Sequence, residues 1–163
     1  MADPAGFVDH YSQCEEALAA FFRSHLPDQF ENDWQVTDNE SDLLRGAKYY
    51  ILFRPGAIPD RAVTYMSGSF TYYDWRVNVN IFTKYLEKKF QWPQFKRFRA
   101  LVMYVLETQQ FLPNNANVEK IVSYSAPEDA LYWRFKNTPA DADPNMMTQP
   151  LTVVLRQRIA HHG

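Results

Sequence analysis

Very little in this sequence can form a covalent or metal-held cross-link, because the whole chain carries one cysteine, Cys14. A single thiol excludes an internal disulfide, cannot build a thiolate metal site, and suits a reducing compartment such as the cytoplasm. Glycine is scarce too: five residues, none in a G-x-G-x-x-G or G-x-x-x-x-G-K spacing. That excludes the phosphate-cradling loops in which glycines let backbone N–H groups close on the anion. No apolar run approaches the ~18 residues that cross a bilayer as a helix. The opening Met1-Ala-Asp-Pro-Ala-Gly6 has neither the basic region nor the apolar stretch of a secretory signal. A dominant charge is also missing. Seventeen Lys and Arg against 19 Asp and Glu leave a net charge of −2, so no global field draws the chain to nucleic acid.

Aromatic residues, by contrast, are abundant: ten Tyr, twelve Phe and four Trp make up 16% of 163 residues. They supply an aromatic-rich core, and rings of these types are also enriched where proteins touch one another. The length fits one domain with a real core, spanning 1–163 with its ordered part at about 8–159. Its clearest pattern is Ser69–Thr83. From Tyr73 to Ile81 the residues Tyr73, Trp75, Val77, Val79 and Ile81 alternate with Asp74, Arg76, Asn78 and Asn80. Period-two patterning predicts a strand with one buried and one wet face, and at about 3.3 Å per residue it would span roughly 50 Å. Such a strand is bent or projects beyond its own domain.

Around it, Val8, Tyr11, Cys14, Leu18, Phe21, Phe22 and His25 recur at helical spacing and predict a helix over about 7–26, stopped by Leu26-Pro27. Trp34–Thr37 reads as a short strand. Lys48–Arg54 is apolar on both faces and belongs centrally in a sheet. Residues 57–66 are ambiguous, with Pro59-Asp60 marking a turn and Val63–Met66 allowing a strand, and Gly68 marks a bulge or a close backbone approach. Residues 84–91 form a basic connector, followed by a helix over about 93–111 with Pro93 at its first position. Val118–Tyr124 and Leu131–Phe135 read as strands joined by a hairpin-length segment, 137–150 as a long loop, and Leu151–Ile159 as a final strand with Thr152, Arg156 and Arg158 on its polar side. The order predicts an α+β fold: a mostly antiparallel sheet with two helices packed on one face.

No catalytic constellation emerges. The four histidines are His10 and His25 on the first helix and His161 and His162 at the far end, and none stands beside a G-x-S-x-G elbow. There is no H-E-x-x-H and no C-x-x-C, and the carboxylate pairs Glu15/Glu16, Glu40/Asp42, Glu128/Asp129 and Asp141/Asp143 read as solvated surface. No cofactor is expected. The one concentration of charge is Lys84, Lys88, Lys89, Lys96, Arg97 and Arg99, interleaved with Tyr85, Phe90, Trp92, Phe95 and Phe98. It reads either as a solvated helix start over core aromatics or as a nucleic-acid patch. The polar face of the long strand is either an ordinary wet face or a surface meeting a neighbouring subunit.

In this order of elements the chain resembles the tail terminator proteins of long-tailed bacteriophages. The correspondence covers about 8–159: a helix, Trp34-Gln-Val-Thr-Asp-Asn39 as a strand leading into a loop, the Tyr49–Arg54 strand, a loop ending at Gly68, the strand through Trp75–Thr83, a second helix and late strands. The residues before the first helix and the 137–150 loop are additions. The resemblance implies a virion structural protein of the neck, made in the host cytoplasm, with no catalysis. It implies a hexameric ring that caps the tail tube, ends its polymerisation and docks to the head connector, so the partners are other copies of the chain, the tail tube protein and a head-completion or connector protein. Genomic DNA would pass through the ring without sequence-specific binding, and no membrane is involved.

On that reading the interface candidates are Asp60, Arg61 and Tyr65 in the loop before the long strand, Arg76, Asn78 and Asn80 on its wet face, Lys84, Lys88 and Lys89 in the connector, and Met146 and Met147 in the late loop. The alternatives are another neck component, such as a head-closure or tail-completion protein, a small-ligand-binding α+β domain with an apolar pocket under the second helix, and a nucleic-acid module on the Lys84–Arg99 patch.

Overall fold

A computed structural model describes residues 3–27, 34–38, 49–54, 59–84, 88–112, 117–127, 129, 131–133 and 146–160. The order of elements is α1 (His10–His25), β1 (Trp34–Thr37), β2 (Tyr49–Phe53), β3 (Asp60–Met66), β4 (Phe70–Lys84), α2 (Lys88–Thr108), β5 (Val118–Ser125), β6 (Leu131–Trp133) and β7 (Met146–Ala160). This is the α+β fold that the pattern predicts. Seven strands form one sheet of order β1-β2-β4-β7-β5, with β3 also on β4 and β6 also on β7. Every pairing is antiparallel except β1 with β2.

Two fifteen-residue strands, β4 and β7, form the axis of the sheet. They pair along their whole length, from Phe70↔Ala160 to Lys84↔Met146. Each carries an interrupted strand on its outer edge. β2 and β3 follow one another along β4, against residues 79–83 and 71–76 respectively, and β5 and β6 follow one another along β7. The hairpin expected between β5 and β6 is therefore not formed. Both run antiparallel to β7, so they lie end to end and parallel to each other.

The core lies on the side of β4 that carries Trp75, Val77, Val79 and Ile81, continued by Leu151, Val153 and Leu155 of β7. α1 meets it with Cys14, Ala17, Leu18, Phe21 and Phe22, which the three- and four-residue spacing places on one stripe. The helix starts at His10 rather than near residue 7 because Asp9 caps it: one carboxylate oxygen accepts the Ser12 N–H at 3.1 Å and the other accepts the Ser12 hydroxyl at 2.7 Å. It ends where expected, with Leu26 extended ahead of Pro27. α2 buries Phe95, Phe98, Val102, Val105 and Leu106 against the same core. Phe98 stacks on Tyr49, with ring centroids 4.8 Å apart. This helix begins at Lys88, so Pro93 is inside it rather than at its first position. The proline ring costs only the one hydrogen bond that the residue-89 carbonyl would have received, close to the helix start.

Polar side chains tie the helices to the sheet. Gln157, buried in β7, accepts the Trp75 indole N–H at 3.0 Å and donates to the Gln13 side chain of α1 at 2.9 Å. Gln149, also buried, accepts from Arg99 of α2 at 3.1 Å. A buried amide without partners would cost roughly 1–3 kcal/mol, so these bonds fix where each helix sits. Lys48–Arg54 was expected to be central, and β2 does lie between β1 and β4 with Tyr50, Ile51, Leu52 and Phe53 all buried. Tyr50 and Leu52, together with Phe82, are buried outside the main core cluster, so this part of the sheet is closed on both faces.

Three further expectations change. Asp60, Arg61 and Tyr65 are on a strand, β3, not in a loop. Met146 and Met147 open β7 rather than ending the 137–150 loop. The bulge lies between Val63 and Tyr65, not at Gly68, which sits in the turn joining β3 to β4 with open space around it. Ser67 organises that turn. Its hydroxyl donates to the Phe70 carbonyl at 3.1 Å and accepts the N–H groups of Ser69 and Phe70.

Candidate interaction surface

The most exposed regular element is β3, in which all seven residues are open to solvent. Among the described residues it is bonded to β4 on one side only, and no strand pairs with its other edge. The bulge at Thr64 changes which side chains face which way. Asp60 and Ala62 stand opposite Arg76 and Asp74, on the face away from the helices, while Arg61 and Val63 stand opposite Trp75 and Tyr73. After the bulge Tyr65 pairs with Tyr72 and so joins the face away from the helices.

That open face carries a cross-strand ladder of ion pairs. Arg76 of β4 lies 3.8 Å from Asp60 of β3, and Arg158 of β7 lies 3.9 Å from Glu119 of β5. Between them Arg156 of β7 makes two hydrogen bonds to the Asp74 carboxylate, at 2.9 and 3.2 Å. This fork holds the Arg156 guanidinium even more firmly protonated than usual, with the Asp74 hydrogen bond as the main cause. Tyr65, Tyr72 and Phe70 line the outer end. Their rings lie 6.1 Å apart for Tyr65–Tyr72 and 5.3 Å for the edge-on Phe70–Tyr72 pair, with the Arg158 guanidinium 5.5 Å from the Phe70 ring. A shallow groove of about 320 Å³ runs between Thr64, Tyr65, Tyr72, Glu119, Lys120 and Arg156.

The expected interface residues divide into groups. Asp60, Arg61, Tyr65 and Arg76 come together at the β3–β4 edge, with Arg61 folded over the Tyr73 ring at 4.0 Å on the helix side. Asn78 and Asn80 are half-buried and occupied within the chain: Asn78 accepts from the Thr152 hydroxyl at 2.9 Å and Asn80 from Arg54 at 2.8 Å. They hold neighbouring strands together instead of standing free on a wet face. Lys84 closes β4, Lys88 and Lys89 open α2, and Met146 and Met147 pair with Lys84 and Thr83, at the opposite end of the ribbon from β3. Sequence reasoning missed Phe70, Tyr72 and Lys120 as members of the surface. The alternation in Leu151–Ile159 did expose Arg156 and Arg158, but nothing local announces that β5 brings Lys120 beside them.

Two other concavities lie among the described residues. The cleft beside α2, lined by Pro27, Trp34, Tyr49, Arg97, Phe98 and Leu101, holds about 160 Å³, below the ~300 Å³ of ordinary small-molecule sites. An open groove between α1 and β1 contains Glu15 and Asp38. There, burial and then the Asp38 and Asp9 charges push the Glu15 carboxyl above its usual range. Burial also pushes the Cys14 thiol up to about 12, which leaves it a poor nucleophile. Among the described residues no three His, Cys, Asp or Glu side chains gather to hold a metal ion, and no helix is long and apolar enough to cross a membrane.

No protein-family model matches this chain, and no curated protein does.

Proposed function

We propose that the chain is a structural protein of the phage neck, a tail terminator that forms a hexameric ring on the tail tube, stops its growth and docks to the head connector without catalysing a reaction. The observation that carries this reading is β3: a seven-residue strand, exposed throughout, whose outer edge pairs with no strand among the described residues. A ring needs two different surfaces on each subunit, meeting head to tail and closing by rotation. The β3 edge supplies one such surface, and the opposite end of the β4–β7 ribbon, where Lys84 pairs with Met146, lies where a second can be. The element order that the terminators share supports the assignment within the neck. The remaining neck role, head closure or tail completion, would use the same edge with a different neighbour.

The test is the mass of the purified chain by light scattering, together with imaging of tails assembled with it. A closed ring, seated at the tube end, is expected. Monomers at tens of micromolar, together with tails that keep their normal length when the protein is missing, would overturn the reading.

A further inference from the structure

We infer that the outer half of the open sheet face, built from β3, β4, β7 and β5, binds single-stranded nucleic acid. The inference does not rest on ring formation. Its first support is the placement of cations. Lys120 of β5 stands directly opposite Arg156 of β7 in the strand register. Like charges facing one another across strands destabilise a sheet. Asp74 neutralises Arg156, and Glu119 lies beside Arg158, but Lys120 has no ion-pair partner among the described residues. The patch thus holds four cations, Arg76, Arg156, Arg158 and Lys120, against three carboxylates, Asp60, Asp74 and Glu119, and the groove beside Lys120 and Arg156 is open. An anion placed there would relieve the Lys120–Arg156 opposition.

The second support is what the cations surround. Tyr65 is 58% exposed, a large ring kept in water at some cost, and it lies beside Tyr72 on the flat of the sheet. Phe70 stands edge-on against Tyr72 and holds it in place, under the Arg158 guanidinium. Exposed rings on a sheet, flanked by Arg and Lys, form a stacking platform for bases, while the cations meet the phosphates. A duplex hides its base faces and would leave the rings unused. An acidic peptide would satisfy the cations but has nothing planar to lay on the tyrosines. The Tyr65–Tyr72 spacing of 6.1 Å exceeds the 3.4 Å rise of a stacked strand, so bound bases would be splayed, one to each ring.

The experiment is fluorescence anisotropy of a labelled oligothymidylate of about twenty nucleotides, titrated with the full chain at low and moderate salt. With three phosphates contacted, affinity should fall roughly twentyfold between about 50 and 200 mM salt. Tyr65→Ala should lose roughly tenfold in affinity with little change in the salt slope, because it removes a stacking ring and no charge. Lys120→Gln should lower the salt slope by about 0.7, the value of one phosphate contact on a single strand. Arg158→Gln provides a second, independent charge variant, and melting curves check that each variant is folded. Absence of binding at tens of micromolar protein would overturn the inference. So would binding indifferent to both Tyr65→Ala and Lys120→Gln, since the strand would then sit elsewhere, as on the Lys96–Arg97 side of α2. Equal affinity for a duplex, or full competition by polyglutamate, would also overturn it, the latter identifying an acidic protein as the partner. Light scattering on the same samples reports assembly separately, so failure here and failure of the ring leave different records.

Discussion

β2 and β3 are consecutive lengths of one interrupted strand along the same edge of β4, yet they differ in almost every physical respect. β2 is sealed on both faces and flanked by β1, and its Tyr49 ring stacks on α2. β3 has no strand beside it other than β4 among the described residues, and each of its seven residues is exposed. The backbone hydrogen bonding to β4 is of one kind in both. The difference lies in side-chain burial, which at about 25 cal/mol per Å² of apolar surface decides how strongly a strand is held. One strand therefore serves two ends. Its buried half fixes the fold, and its open half is free to meet something else.

The largest effect expected from this contrast is chemical. Cys14 is buried in the core on α1 with its thiol raised to about 12, so at pH 8 only about one molecule in ten thousand carries the thiolate. Disulfide-exchange labelling should proceed only through global unfolding, even when the β3 edge is displaced. Labelling at the rate of a free thiol would show that the core under α1 opens with the β3 edge. Next come core truncations. Ile51→Ala in β2 should cost about 2–5 kcal/mol in denaturant melts, whereas Val63→Ala in β3 should stay within about 0.5 kcal/mol. Comparable losses at both positions would erase the distinction.

The ion-pair ladder sharpens the comparison one step further. The Asp74–Arg156 side chains are 20% and 24% exposed, against 61% and 66% for Asp60–Arg76. Asp74→Ala should therefore cost roughly 1–3 kcal/mol, because it strands a half-buried guanidinium, while Asp60→Ala should cost about 0–1 kcal/mol. The smallest effect concerns pH. The folded Glu15 carboxyl titrates above its unfolded value, so between the two the folded state holds more protons. That contribution to stability is present below the unfolded value and is lost as pH rises through the folded one. Glu15→Gln should raise the melting temperature slightly at pH 7 and leave it unchanged at pH 4. A lower melting temperature at pH 7 would mean that the charged carboxylate stabilises the α1–β1 groove.

The same contrast explains what could be read in advance. The Lys48–Arg54 run is apolar at nearly every position, and only a strand sealed on both faces needs that, so its place in the sheet was legible. The alternation through Trp75–Ile81 was legible for the complementary reason. β3 was legible only in its second half, Val63–Met66, because the bulge at Thr64 breaks the period and Pro59-Asp60 resembles a turn. The first five residues of β7 were hidden by Pro150, which suggests a loop. It falls in the gap between β6 and β5, where no outer strand among the described residues pairs with β7. The surface was half legible. Asp60, Arg61, Tyr65 and Arg76 do share an edge, but the meeting of Lys120 with Arg156 depends on a pairing between residues far apart in the chain.

That distant pairing also sets the order in which the molecule can form. β4 finds its full-length partner only in β7, which follows every other strand in the chain. A nascent polypeptide that has emerged only as far as β6 has already made the exposed β3 edge but lacks the strand against which β4 is laid. Loop closure over so long a separation is slow. Any neighbour able to grip β3 would therefore meet it before the rest of the sheet exists, and a chaperone or a delay in synthesis at that stage would guard against premature association.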